Sequence, residues 1–308
     1  MTGRGVETAR AFAPAHITGV FATELKARDP RARGSVGAGI VLELGAIATA
    51  EFRPGPRRAV RIESDLATTL PISEEVARRL APRRSGSVTV RLEHQLPVGQ
   101  GFGMSAAGAT ATALAVAALT DSSHERAVEV AHLADLFGGG GLGGVAAIEG
   151  GGGLEVRRRG GIPPYGDIEH VPLPGSIFIG ITGGPLPSPR LLANRRFLEK
   201  VRIASEGLDE LLRHPAPTPF FYLSEQFTDR LGLAPRSLRR CLVQLRERGA
   251  WAGQAMFGRS FFARPKGPAS RAELLPWLEG SGLRVVELAA ARRGPHLLPS
   301  KSVPRRRR

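Results

Sequence analysis

Valines and a leucine alternate with polar residues along SGSVTVRLEH, a period of two that predicts a half-buried strand over 86–94. Residues 36–50 (VGAGIVLELGAIATA), 59–64 (AVRIES) and 152–159 (GGLEVRRR) read as further strands, with a short helix at 73–80. From Leu96 to Thr120 the chain carries no charge, long enough in principle to cross a bilayer. Pro97, the early glycines, and alanine and threonine in place of leucine and isoleucine argue instead for a glycine-rich loop. That loop feeds a small-residue helix, about Ser105 to Leu119, packed tightly on a sheet. A second helix over 124–136 stops at the glycine run Gly138 to Gly141.

The stretches GGIPPYGD (160–167) and PLPGS (172–176) look like a boundary, and the texture changes beyond them. A strand at 176–182 precedes helices near 190–213, 218–231 and 235–248, the last closed by Gly249. Two short strands in WAGQAMFGRSFFARP, a helix near 270–279 and a strand at 283–288 complete the pattern, without internal repeats. The expected class is α+β, with halves over 1–165 and 166–300 and a basic tail at 301–308.

Composition narrows the field only slightly. The 308 residues are 42% hydrophobic and 23% charged, as in a globular protein. One cysteine, Cys241, excludes an internal disulfide and points to a reducing, cytoplasmic setting. The N-terminal stretch lacks the apolar core of a signal peptide. A net charge of +15 suits a nucleic-acid partner, yet the charge is spread along the chain and only four of the 43 basic residues are lysines. Aromatics at 6% do not interleave with arginine as a base-stacking surface requires, so neither nucleic acid nor membrane is the expected partner.

The chemistry gathers in PVGQGFGMSAAG (97–108). Gly99, Gly101 and Gly103 alternate, which lets the backbone turn sharply and present successive N–H groups. Ser105 then opens a helix whose free N–H groups and positive dipole end favour an anion such as phosphate. Its hydroxyl suits Mg²⁺ or a helix cap equally. There is no G-x-x-x-x-G-K-[ST], so an ordinary P-loop is excluded. Gly101, Gly103 and Ala106 fit G-x-G-x-x-A, but the strand ending in an acid that a dinucleotide fold needs is missing. From the loop alone, a phosphate cradle and a glycine turn without ligand both stand.

Pro97, Gly101, Phe102, Gly103, Ser105, Ala106 and Ala107 resemble the P-x-x-x-G-L-G-S-S-A-A phosphate loop of the GHMP kinases, with Met104 replacing the first serine. APAHITG (13–19), GSVGAG (34–39), AHLAD (131–135), GLGGV (141–145), GGLEVRRRGGIPPYG (152–166) and QAMFGRSFFA (254–263) follow in order the pattern of the archaeal, pantoate-phosphorylating branch. The resemblance implies a two-domain GHMP-kinase-like fold with the active site between the halves, usually a homodimer. It implies ATP-dependent phosphorylation of (R)-pantoate to 4-phosphopantoate in archaeal coenzyme A synthesis, with Mg²⁺. Carried over by position, Pro97, Gly99, Gly101, Gly103, Met104, Ser105 and Ala106 hold the nucleotide phosphates. Ser105 and Asp135 hold the metal and are the catalytic pair, and Ser35, His132 and Arg157 hold pantoate. His132 and Asp135 share one helix face at i, i+3, and Arg157 offers a planar fork for a carboxylate. Strand alternation places Arg157 and Arg159 on one face and Arg158 on the other.

The chain departs from the family at Gly144. The family's GLGDV carries an aspartate thought to activate the acceptor hydroxyl; here the stretch reads GLGGV. Glu149 and Glu155 are the only other acids nearby, neither at the matching place, and Asp135 replaces a glutamate. The departure leaves two expectations: a small-molecule kinase, active or slowed, or a catalytically impaired homologue that binds nucleotide or pantoate without efficient turnover.

Overall fold

The computed structural model describes residues 6–66, 69–185 and 194–299. Its first layer is a sheet of strands β1 (Glu7–Glu24), β2 (Gly34–Pro54), β3 (Ala59–Ser64), β4 (Gly86–His94), β5 (Leu154–Arg159), β6 (Asp167–Val171) and β11 (His296–Leu298). The order β11-β1-β2-β4-β3 runs across it, and β5 pairs with the start of β2 and with β6. β1 and β2 are antiparallel along nearly their whole length, with a register shift between Pro14 and Ala15 that bends the pair. A second sheet has the order β10-β7-β9-β8, from β7 (Ser176–Ile181), β8 (Ala250–Gln254), β9 (Ser260–Pro265) and β10 (Arg284–Ala289).

The strands read at 36–50, 59–64, 86–94 and 152–159 all form, as do the helices α1 (Pro71–Leu80), α2 (Met104–Ala117) and α3 (His124–Phe137). Helix α2 is buried at every residue except Ser105 and packs on β1 and β2. The two strands carry fully buried Ala11, Ala13, Ala15, Ala46, Ala48 and Ala50, so small residues on both elements let helix and sheet approach closely. The uncharged segment is therefore a buried core helix, and no helix among the described residues is long and apolar enough to cross a membrane.

Elements also form where the sequence reading placed none, the short β11 among them. β1 carries a run of buried residues over Ala13–Ile17 without clean alternation, because helices cover both of its faces. β6 lies between the two proline- and glycine-rich stretches read as a boundary, and it joins the first sheet although it follows residue 165. Helix α4 (Gly144–Glu149) starts at the glycine that departs from the family.

In the second half, α5 (Arg195–Ala204), α6 (Leu208–Arg213), α7 (Pro217–Leu231), α8 (Arg236–Glu247) and α9 (Pro268–Gly280) follow the predicted order. The predicted helix start near 190 and the basic tail 301–308 fall outside the described residues. Helix α8 buries Leu238, Cys241, Leu242 and Leu245, an i, i+3, i+4, i+7 stripe against the second sheet. One apolar cluster joins the halves: Phe257, after β8, meets Phe21 of β1 and Phe197 of α5 edge-on, with ring centroids 5.6 and 5.4 Å apart.

Candidate active site

Gly103 takes φ +61° just ahead of α2, a left-handed turn with the backbone and Cβ of His16 packed directly behind it. His16 N–H also donates to the carbonyl of Phe102 at 3.1 Å, tying the loop to β1. No side chain caps α2, so the N–H groups of its first turn face the space in front of the loop. That space is a cavity of about 360 Å³, walled by the 99–106 loop, the glycine run 138–144, Ser35, His16, Thr18, Met256 and Phe257.

Ser105 and Asp135 meet in this cavity. The Ser105 hydroxyl donates to Asp135 Oδ1 at 2.8 Å, joining the first turn of α2 to the last turn of α3. Burial pushes the Asp135 carboxyl up to about 6, and the serine donation only partly opposes it. Gly140 and Gly141 lie over the pair, where a Cβ on Gly141 would sit 3.2 Å from Asp135 Oδ2. The glycine run thus leaves open the volume that side chains would fill. A carboxylate and a hydroxyl beside a helix N-terminus are hard oxygen donors suited to Mg²⁺ with phosphate, since Mg²⁺ takes one or two protein ligands and completes its shell with water and phosphate.

The other candidates read from the sequence separate once the chain folds. Gly99, Gly101, Gly103, Met104, Ala106 and Ser35 line the cavity with Ser105 and Asp135. Pro97 lines a neighbouring cleft with Leu66, His94 and Ile181. His132 is buried one turn before Asp135, its Nε2 lies 3.4 Å from the carbonyl of Pro30, and burial pushes its pKa down. Arg157 is sealed behind Gly143: its Nη1 donates to Glu155 and its Nε to the carbonyl of Ser35 at 3.3 Å. Neither His132 nor Arg157 is part of the cavity wall. The expected alternation also breaks: Arg158 and Arg159 are both exposed, because the β5–β6 register shifts between Arg157 and Arg159.

His16, to which the sequence assigns no role, and Glu155, weighed there only as a misplaced acid, meet at the cavity wall. His16 Nε2 lies 2.7 Å from Glu155 Oε1, both side chains buried. Burial would raise the Glu155 carboxyl, but the Arg157 charge and the His16 hydrogen bond outweigh it and hold it below the usual range. Burial lowers the His16 imidazole despite Glu155. A lone histidine amid the alanines of β1 and a glutamate inside an apolar strand were the available signals.

Gly144 lies on the cavity wall with ordinary backbone and not in the left-handed region. The barrier to a side chain there is steric: a Cβ would come within 2.7 Å of Ala106 Cβ on α2. An aspartate at 144 therefore needs α4 and α2 to move apart, and Gly144→Asp tests packing as well as chemistry.

Residues 71–152, which contain the loop and the Ser105–Asp135 pair, match the family described as GHMP kinases N terminal domain. The pantoate kinase of Thermococcus kodakarensis is 32% identical over 243 residues, covering 77% of this chain and 80% of its own. The chain belongs to the pantoate kinase family of the GHMP kinases. The family's pantoate kinase from Methanospirillum hungatei is 28% identical over 83% of this chain and 87% of its own. A solved phosphotransferase related to the CoA biosynthesis pathway superposes with a TM-score of 0.83 at 26% identity, over 94% of this chain and 98% of that one. The mevalonate-3-kinase of Thermoplasma acidophilum, solved with mevalonate 3-phosphate and ADP bound, shares the fold at a TM-score of 0.64 and 12% identity, over 96% of this chain and 99% of that one. The α+β, GHMP-kinase-like fold that the resemblance implies is the fold observed.

Proposed function

We propose that this chain transfers the γ-phosphoryl group of ATP to the 4-hydroxyl of (R)-pantoate, the reaction its named relatives support. The observation that carries the reading is the Ser105–Asp135 pair at the uncapped start of α2, inside a glycine-walled cavity. Backbone N–H groups from the loop and the first turn of α2 hold the phosphates. Ser105 and Asp135 would hold Mg²⁺, which when bound would supply positive charge against the charge built up in transfer. Ser35 reaches the acceptor from the opposite wall. Arg157 and His132 act from one layer behind: Arg157 fixes the Ser35 carbonyl and Glu155, and His132 holds the Pro30 turn against α3.

No observation favours the impaired reading over the active one. Phosphoryl transfer through a loose transition state depends mainly on positioning and charge, both supplied by the loop and the metal pair. The test is coupled ADP release with (R)-pantoate, mevalonate and homoserine as acceptors. The reading requires release that depends on pantoate and exceeds that with the other two. Thermal stabilisation by pantoate or nucleotide without release identifies a binding homologue instead.

A further inference from the structure

We propose that His16 is the catalytic base of this chain, taking the proton of the acceptor hydroxyl through Nδ1 while Glu155 holds its Nε2. The proposal rests on the kinase reading and supplies the group that Gly144 lacks.

Four observations carry it. His16 is on the cavity wall with Ser105 and Asp135, and its main chain is bonded to the phosphate loop at Phe102. Its Nε2 is engaged by Glu155 at 2.7 Å, which fixes the ring and makes Nε2 the protonated nitrogen beside a carboxylate. Nδ1 makes no hydrogen bond among the described residues, yet it is not among the sealed polar atoms left without a partner. With Nε2 held by Glu155, Nδ1 is the ring nitrogen left to serve the cavity that His16 lines. Finally, Gly39 leaves the space for the pair, since a Cβ there would lie 2.7 Å from Glu155 Oε1 and strike His16 Nε2.

A structural ion pair would need none of this. Burying charges costs more than their attraction returns unless every polar atom is satisfied, and Glu155 Oε2 has no partner. That spare oxygen lies beside the ring that would become an imidazolium. In the step, the acceptor oxygen forms a bond to the γ-phosphorus, and the bond from that phosphorus to the β,γ-bridging oxygen breaks. ADP leaves with that electron pair, and the hydroxyl proton passes to His16 Nδ1 and from there to water. The ionisable groups facing the ring are Glu155 and Arg157 on β5 and His170 on β6, with Asp135 across the cavity. Burial is the main effect against the imidazolium, Glu155 favours it, Arg157 and His170 oppose it, and the net shift of the ring is downward.

The experiment compares parent and His16→Gln at saturating ATP and Mg²⁺. Glutamine keeps a donor towards Glu155 but cannot take a proton. We expect kcat to fall roughly 10²-fold, within the range for a lost general base. The acceptor KM should stay within about threefold, and the acid limb of the parent's kcat–pH profile should be lost. Unchanged kcat, or a loss confined to KM, overturns the proposal. Nitrogen NMR of the parent gives a reading that no variant's folding can obscure: His16 should be neutral and protonated on Nε2 at pH 7.5. An Nδ1-protonated ring or an imidazolium overturns the proposal. A parent that releases ADP with another small alcohol but not with pantoate refutes the substrate reading alone, and the variant is then compared on that alcohol.

Discussion

Asp135 carries a cost that its proposed role explains. Its carboxyl titrates near 6 in the folded chain against 3.8 for the free group, because burial disfavours the anion. Below pH 3.8 both states are protonated and there is no penalty. As pH rises from 3.8 to about 6 the unfolded chain loses its proton first, and above 6 the folded state bears the full penalty. Without metal, Asp135→Asn should therefore be more stable than the parent at pH 7.5, by up to about 3 kcal/mol, with the gap closing towards pH 4. Denaturant unfolding at the two pH values measures this, and the same variant should lose Mg²⁺-dependent turnover. A variant less stable at pH 7.5 would show that the anion is already compensated. Ser105 and the glycines were legible in the sequence because a glycine loop and a helix dipole are local features. His16 and Glu155 were not, because 139 residues separate them and only the pairing of β5 with β2 beside β1 brings them together.

Helices α2 and α4 meet where Gly144 touches Ala106, and that contact sets the shape of the cavity's inner wall. Gly144→Ala should lower stability by about 1–3 kcal/mol, as overpacking does. Ala106→Gly in the same chain should recover part of the loss, giving a favourable coupling energy in a double-mutant cycle. Additive effects would mean that the two helices are not in contact at this point. Helices with a clear stripe, such as α8, and strands with clean alternation, such as β4, could be read directly. β1 and α4 could not. A strand covered on both faces loses its alternation, and a six-residue helix opened by glycines carries neither cap nor period.

The two sheets share one apolar cluster, and Phe257 lies within it: it packs on Phe21 and Phe197 and also forms part of the cavity wall. Phe257→Ala should cost about 3–5 kcal/mol in denaturant unfolding and raise the acceptor KM more than it lowers kcat. Preserved stability would place the halves' contact elsewhere. Composition pointed to a globular chain without naming its chemistry, and the positive charge, spread along the chain, named no partner. The ordered series of motifs supplied the function, because a kinase site drawn from β1, α2, α3 and the glycine run leaves its traces at separate places along the chain. The most direct measurement of the central claim is a single-turnover reaction with enzyme in excess over ATP, Mg²⁺ and (R)-pantoate present, followed by phosphorus NMR. We predict one phosphomonoester of pantoate formed per ADP, and none from the Asp135→Asn chain. ADP with free phosphate, or unchanged ATP, would contradict the account.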